Sequence, residues 1–209
     1  MTARIDHAVT SGTFSLDSQT FDVDNNVWVI GDDTECVVVD APHDVDAILA
    51  AVGGRRVLAI LATHAHDDHV RVAPALADAT GAPVLLHPAD RVLWDMVHPE
   101  LAPGGELRDG EVIEVAGTGL HVRHTPGHSP GACSFHAPEL RAVFTGDTLF
   151  AGGPGATGRS FSDFGTIVES IRTRLLTLPP DTRVHTGHGP STTVGDEAPH
   201  LAEWLDRGH

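Results

Sequence analysis

The sequence predicts an α/β fold in which buried strands alternate with helices. Its clearest strand is the apolar run at residues 57–62, which leads directly into a stretch rich in histidine and aspartate. Residues 44–52, just before it, show the spacing of an amphipathic helix and stop at Gly53. Buried strands that end in chemically active loops are typical of α/β proteins. We therefore expect a functional site at the edge of a sheet.

The first half of the chain alternates short apolar runs with helix-like segments. Aliphatic and β-branched runs predict strands at residues 14–17, 26–30, 35–40, 57–62 and 83–87. Helical spacing predicts helices at residues 44–52, 67–80 and 89–97. For the second of these, apolar residues share one side and Gly81 provides a C-terminal stop. Pro88 precedes the third helix, where proline is favoured.

The second half begins with a loop at residues 99–110, rich in glycine, proline and charge. Strands are predicted at residues 111–115, 120–124, 132–136, 142–145 and 182–185, and helices at 162–178 and 200–207. Ser162 is the expected N-cap of the first of these helices. The glycine-rich loop at residues 152–158 lacks the Gly-Lys-Ser/Thr of a phosphate-binding loop.

The composition limits the class of protein. A chain of 209 residues is expected to form one domain, residues 1–209, and its net charge is −16. Nucleic-acid binding requires basic surface, so we expect no nucleic-acid partner. The sequence has no apolar run of the about 18 residues that span a membrane, and its N-terminus lacks an apolar signal segment. We expect a cytoplasmic protein without a membrane partner, and the oligomeric state stays open.

The stretch from Thr63 to His69 carries three histidines and two aspartates within seven residues. Imidazole and carboxylate are suitable ligands for Zn²⁺, Fe and Mn²⁺. His64 and His66 are two residues apart, so an extended backbone points both side chains the same way. Asp68 and His69 follow beyond a turn, where they could serve a second ion. One loop could thus supply ligands to two metals.

Three further motifs lie downstream. His128 stands in Thr-Pro-Gly-His-Ser-Pro-Gly, Asp147 in Phe-Thr-Gly-Asp-Thr, and His188 in Thr-Gly-His-Gly-Pro. Each follows an apolar or β-prone run and has glycine beside it, which suits a loop at a strand end. These residues are therefore further candidate ligands.

In this order, the four motifs resemble the metallo-β-lactamase superfamily over residues 12–205. The resemblance implies an αββα sandwich, in which two mixed β-sheets are flanked by helices and metals bind at one edge. It implies two ions, Zn²⁺ with Fe or Mn²⁺ as the other possibilities, held by His64, His66 and His128 at the first site, by Asp68, His69 and His188 at the second, and by Asp147 as the bridge. Asp68 and Asp147 are the carboxylates expected to act in catalysis.

Within that superfamily, the motifs around His128 and Asp147 are most similar to glyoxalase II (hydroxyacylglutathione hydrolase) and its short relatives. Asp147 stands where one class of true β-lactamases has cysteine, while another class lacks the bridging carboxylate, which argues against antibiotic hydrolysis. The resemblance implies a hydroxide bridging the two metals that attacks the carbonyl carbon of a thioester. The expected partner is a small-molecule acyl-thiol.

The identity of the thiol stays open. Only residues 189–209 follow His188, too few for the C-terminal domain that binds glutathione in glyoxalase II, and the chain has no tyrosine or lysine. A thiol other than glutathione, such as mycothiol, is one hypothesis. One alternative function is a mononuclear non-haem iron persulfide dioxygenase that uses His64, His128 and Asp147. A lactonase-type hydrolase is a further alternative.

Three residues are candidates for substrate binding. Arg159 follows the glycine-rich loop, near where relatives carry a substrate-contacting arginine, and could pair with a substrate carboxylate. Phe150 and Phe161 could form walls of the pocket. The alternatives are a solvated arginine and aromatic side chains that only pack in the core.

Overall fold

The structure, a computed structural model, describes residues 2–16 and 19–208. In these residues, the main strands form two six-stranded sheets that share an apolar layer. Each sheet contains parallel and antiparallel pairs, and helices cover its outer face. The predicted sandwich of two mixed β-sheets flanked by helices is confirmed.

The first sheet contains the first six strands of the chain in sequence order. They are β1 (Arg4–Leu16), β2 (Gln19–Gly31), β3 (Glu35–Val39), β4 (Arg56–Leu61), β5 (Val84–Leu86) and β6 (Gly105–Glu106). The helices on its outer side are α1 (Val45–Val52), α2 (Asp67–Val70), α3 (Ala73–Thr80) and α4 (Arg91–Val97), the last preceded by a 3-10 turn at Pro88–Asp90.

The second sheet is built from the rest of the chain. Its strands are β7 (Val112–Val115), β8 (Thr118–His124), β9 (Cys133–Ala137), β10 (Ala142–Gly146), β13 (Arg183–Thr186) and β14 (Thr192–Thr193), and β11 (Leu149–Phe150) pairs with β12 (Gly153–Pro154) in a small separate hairpin. The remaining helices are α5 (Phe164–Ser170), which continues as a π-helix at Ile171–Leu175, α6 (Val194–Glu197) and α7 (Leu201–Arg207). No helix in the described part of the chain is long and apolar enough to cross a membrane.

Alternation along the strands produces the layers. In β3, Cys36 and Val38 pack in the cluster under the outer helices, whereas Val37 and Val39 belong to the layer between the sheets. Successive side chains of a strand point to opposite faces, so an uninterrupted apolar run is buried on both sides. Strand β4, which leads into the first motif, is fixed from both faces in the same way, with Ile60 in one layer and Leu61 in the other.

The N-terminal hairpin is much longer than the sequence predicted. Strands β1 and β2 pair antiparallel from Arg4 opposite Gly31 to Leu16 opposite Gln19. The predicted strands at residues 14–17 and 26–30 cover only part of it, and Asp17 lies outside the described residues. The missed portion carries many polar side chains and lacks a continuous apolar run, so its strand conformation rests on pairing rather than on local propensity.

Two predicted helices were wrong in their details. Residues 67–80 form α2 and α3 rather than one helix, because Pro74 in the first turn of α3 has no N–H to continue the ladder. The break lets the short helix α2 orient its side chains independently of α3. Asp163, not Ser162, caps α5, since its side chain accepts a hydrogen bond from the backbone N–H of Thr166.

Candidate metal centre

The seven candidate ligands meet at one edge of the sandwich. They come from the β4–α2 loop and α2 itself and from the loops that follow β8, β10 and β13. Strand ends bring together His64, His66, Asp68, His69, His128, Asp147 and His188. These side chains form two adjoining clusters.

The first cluster consists of His64, His66 and His128. The Nδ1 atom of His66 lies 3.0 Å from Nε2 of His64 and 3.0 Å from Nε2 of His128. Two nitrogens bound to one tetrahedral metal at about 2.0–2.1 Å would be about 3.3 Å apart. The three nitrogens are thus spaced closely enough to share a single ion.

The second cluster consists of Asp68, His69 and His188. The Nε2 atoms of His69 and His188 are 3.2 Å apart. Oδ2 of Asp68 lies 3.3 Å from Nε2 of His188 and 3.7 Å from Nε2 of His69. These spacings also suit three ligands of one ion, here with a carboxylate among them.

Asp147 faces both clusters. Its Oδ1 lies 3.3 Å from Nε2 of His69, and its Oδ2 lies 3.7 Å from Nε2 of His128 and 3.5 Å from Nε2 of His188. The Oδ1 atom is buried and has no hydrogen-bond partner among the described residues. A buried carboxylate oxygen without a donor is costly unless a cation is present.

The outer nitrogens of the histidines show which way the rings present their lone pairs. Each outer Nδ1 lies within 2.9 Å of an acceptor, Asp40 Oδ2 for His69, Ala156 O for His128 and Asp24 O for His188. These acceptors require a proton on Nδ1, so each neutral ring carries its lone pair on Nε2. The lone pairs of His69 and His188 then face each other, an arrangement that a cation between them would stabilise.

Asp40, at the end of β3, supports ligands of both clusters. Besides binding Nδ1 of His69, it accepts hydrogen bonds from the backbone N–H and the hydroxyl of Thr63, at 2.7 and 2.8 Å. The Thr63 oxygen is then free to accept the Nδ1 proton of His64 at 3.0 Å. Asp67, which lies within the same histidine-rich stretch, does not take this role and pairs with Arg71. Partners of this kind orient the ring and raise the basicity of the ligand nitrogen.

Asp90 joins the two loops that carry the first cluster. Its fully buried carboxylate accepts hydrogen bonds from the backbone N–H of Ala65 at 3.0 Å, the hydroxyl of Ser129 at 2.8 Å and the backbone N–H of Gly131. It therefore ties the His64–His66 loop to the His128 loop. Sequence reasoning missed this residue because it lies in the first turn of a predicted helix, where aspartate is common.

Glycine provides the room that the centre needs. A Cβ atom at Gly187 would lie 2.2 Å from Oδ1 of Asp147 and 2.8 Å from Cε1 of His69. At Gly146, where φ is +49°, a Cβ would lie 2.4 Å from Oγ1 of Thr63. The glycines that border Asp147 and His188 in the sequence therefore allow the loops to approach closely.

Electrostatics distinguish the two clusters. Burial and the neighbouring imidazoles lower the pKa of His66 to about 3, and the same causes hold the pKa of His64 well below its usual range. In the second cluster burial lowers the pKa of His188, but Asp147 and Asp68 outweigh it and raise that pKa to about 10. Rings that stay neutral beside carboxylates that attract positive charge are a donor set that fits two divalent cations.

The three candidate substrate residues differ in their exposure and in their contacts with the clusters. The ring of Phe150 is 6.3 Å from that of His188 and is partly buried. Phe161 is 44% exposed, and Arg159 is exposed with no side-chain contact to the candidate ligands in the described residues. Phe14, which the sequence marked only as part of a strand, has its ring 6.2 Å from that of His66. Phe14 and Phe150 thus lie beside opposite clusters.

This chain belongs to the metallo-beta-lactamase superfamily, whose sequence profile matches residues 21–188. A hydroxyacylglutathione hydrolase of Pseudomonas aeruginosa is 40% identical to it over 173 residues, which cover 79% of this chain and 62% of that relative. This chain thus matches less than two thirds of that relative's length.

Two solved structures are similar over nearly the whole chain. TTHA1623 in a di-iron-bound form is 36% identical with a TM-score of 0.74, and the match covers 90% of this chain and 96% of TTHA1623. The BLEG-1 B3 metallo-beta-lactamase is 29% identical with a TM-score of 0.77, covering 94% and 99%. Both similarities agree with the sandwich described above. The two irons are bound by TTHA1623, a relative with the same fold.

Proposed function

We propose that this protein is a two-metal hydrolase that cleaves thioesters of a low-molecular-weight thiol. The observation that carries the proposal is Asp147, whose carboxylate lies 3.3–3.7 Å from ligand nitrogens of both clusters and whose Oδ1 lacks any donor in the described residues. Similarity to a hydroxyacylglutathione hydrolase supports a thioester as the class of substrate.

His64, His66 and His128 would hold one ion, Asp68, His69 and His188 the other, and Asp147 both. Bound Zn²⁺, Fe or Mn²⁺ would supply an activated water molecule and polarise the substrate carbonyl. The protein's own contribution is orientation. Asp40 holds the Nδ1 proton of His69, and the backbone carbonyls at Asp24 and Ala156 hold those of His188 and His128. These rings enter the reaction already aligned and need no reorganisation.

The leaving group favours a thioester. A thiolate leaves without strong acid assistance, whereas an amine requires a proton in the transition state. The sequence contains no lysine or tyrosine that could donate one. The histidines and aspartates of the clusters are engaged with one another and with their outer partners, which supports a substrate whose leaving group needs little help.

The walls of the site favour an acyl-thiol with few negative charges. Phe14 and Phe150 border the clusters, and the nearby Arg71 is engaged with Asp67 and the Thr13 carbonyl. A thiol carrier other than glutathione, such as mycothiol, remains part of the proposal. Arg159 stays a candidate for substrate binding, since it is exposed and could meet a carboxylate as the substrate arrives.

The proposal is tested by a substrate panel on the metal-loaded protein. We expect turnover of S-acyl thiols, with esters of other small thiols preferred over S-lactoylglutathione, and little turnover of a lactone or a β-lactam. Preferred turnover of the lactone or β-lactam would contradict the proposal. So would oxygen uptake with a persulfide by the iron-loaded protein, because that reaction belongs to a dioxygenase.

A matched pair of variants assigns the activity to the clusters. Asp68 belongs to the second cluster, whereas its neighbour Asp67 pairs with Arg71. We expect Asp68→Asn to abolish most thioester turnover and Asp67→Asn to retain the greater part of it. Equal losses in the two variants would indicate that the second cluster has no special part in the reaction.

A further inference from the structure

Asn25, in β2, is a buried side chain that enters the second cluster although no ligand motif contains it. Its Nδ2 donates a hydrogen bond to Oδ2 of Asp68 at 3.1 Å. The same nitrogen lies 3.4 Å from Nε2 of His69 and 3.4 Å from Nε2 of His188. Asn25 is only 1% exposed, so these contacts exclude water from that side of the cluster.

The orientation of the Asn25 amide follows from the groups behind it. Its Oδ1 lies 2.8 Å from Nε2 of His43, whose Nδ1 faces the Arg71 guanidinium at 3.5 Å. A guanidinium can only donate, so Nδ1 of His43 keeps its lone pair and Nε2 carries the proton. The Oδ1 of Asn25 therefore accepts that proton, and the amide nitrogen is the end that points at the cluster.

Arg71 connects His43 to the segment that carries Asp68. Arg71 donates to the carbonyl of Thr13 at 2.6 Å and forms an ion pair with Asp67, the residue before Asp68. His43 lies against Gly12, where a Cβ atom would come within 2.3 Å of its Nδ1. Arg71, His43 and Asn25 are thus held by the N-terminal hairpin on one side and by α2 on the other.

We propose that Asn25, held by His43 and Arg71, is a positioning residue that sets the affinity of the second cluster for its divalent cation independently of the first. Asn25 acts through Asp68, whose Oδ2 it keeps turned toward His69 and His188. No comparable contact reaches His64, His66 or His128 from Asn25 in the described residues. This inference rests on the two-metal site proposed above and deepens it.

The test is stepwise removal of Zn²⁺ from the metal-loaded protein by a competing chelator. We expect Asn25→Ala to lower the affinity for one of the two ions by about 10- to 100-fold, the usual cost of losing an outer partner. The affinity for the other ion should change by less than about 3-fold. The weakened ion should be the one lost in Asp68→Asn. Loss confined to one ion distinguishes positioning from a general loss of structure.

Thr10→Val is the matched control. Thr10 is paired with Asn25 across the hairpin and is also buried, but its hydroxyl has no hydrogen-bond partner in the described residues. The substitution keeps the shape and should leave both affinities unchanged. If Asn25→Ala weakens both ions equally, or neither, the proposal is overturned.

Variants of His43 provide an independent test by rescue. His43→Leu removes the donor to Oδ1 of Asn25 and should weaken the same ion, whereas His43→Gln retains an N–H donor and should restore most of the affinity. Equal metal affinities in the two variants would overturn the proposed role of His43 in holding Asn25. A wild-type protein that binds two ions without cleaving thioesters would refute the proposed function but not this inference, whereas a protein that binds only one ion would refute the inference.

Discussion

The two clusters of the candidate centre differ in charge. The first has three imidazoles and no carboxylate of its own, and the outer nitrogens of His64 and His128 meet a hydroxyl and a backbone carbonyl. The second includes Asp68, and Nδ1 of its His69 donates a hydrogen bond to the carboxylate of Asp40. The first cluster thus offers a cation neutral donors, and the second offers it negative charge. Two neighbouring sites in one loop system can therefore bind their ions by different means.

Protonation without metal follows the same division. Burial and like neighbours lower the pKa of His64 and His66, so these rings stay neutral. Burial also lowers the pKa of His69 and His188, but the nearby carboxylates outweigh it and raise both. The second cluster thus favours positive charge, whereas the first favours neutral rings.

The largest effect is expected where the two clusters meet. Asp147→Ala removes a carboxylate that faces both clusters, so it should reduce metal content below two ions per chain and lower thioester turnover by more than about 100-fold, beyond what an outer partner costs. Metal analysis and kinetics on the same preparation measure it. A variant with two ions and near-normal turnover would remove Asp147 from its bridging role.

The buried aspartates should separate the clusters. Asp90→Asn keeps the shape but places an amide N–H against donors, so it should weaken the first ion by about 10- to 100-fold and spare the second. Asp40→Asn should weaken both ions, because Asp40 contacts His69 directly and His64 through Thr63. Chelator competition on both variants gives the comparison. If both variants changed the two metal affinities in the same way, Asp40 and Asp90 would not support different clusters.

The packing at Gly187 should have a smaller effect. Gly187→Ala places a methyl group 2.2 Å from Oδ1 of Asp147, and relief of that overlap is expected to cost about 1–2 kcal/mol, or roughly 10-fold in metal affinity. Gly189→Ala is the control, since its Cβ would have no atom within 4 Å although φ is +65°. It should cost some stability without changing metal affinity. Equal metal affinities in the two variants would contradict the steric account.

The smallest expected effect concerns the rim. Phe150→Ala should raise KM for a thioester by a few fold, because the ring lies beside His188, whereas Phe161→Ala should change it little, because that side chain is 44% exposed. Steady-state kinetics with one substrate can compare the two. A larger effect from Phe161 would mean that its loop closes over the substrate.

The strands and the loops that carry the candidate ligands were predictable because they depend on short-range signals, whereas the two-sheet sandwich and the division of the ligands between two ions were implied by the resemblance of the four motifs to a known superfamily. Apolar runs indicated the strands, and glycine-flanked motifs indicated where the candidate ligands lie. Pro74 could have indicated the break between α2 and α3, but the apolar spacing continues across it and predicted a single helix. The extent of β1 was not visible, since its polar residues are strand only because β2 pairs with them.

The supports of the centre could not be predicted. Asp40 and Asp90 are ordinary aspartates at a strand end and in a helical turn, and Asn25 lies in a polar part of β2. Each acquires its role from a residue at least 18 positions away, such as His43 for Asn25 or His69 for Asp40. Spacing along the chain carries no information about such contacts, which arise only when the two sheets and the hairpin pack together.

A two-metal centre that cleaves thioesters can be tested by measuring the rate of thioester hydrolysis against the number of zinc ions per chain as a chelator withdraws them. We expect the full rate to require two ions and most of it to be lost when one has been removed. A full rate retained with a single ion per chain, or no hydrolysis with two, would contradict it.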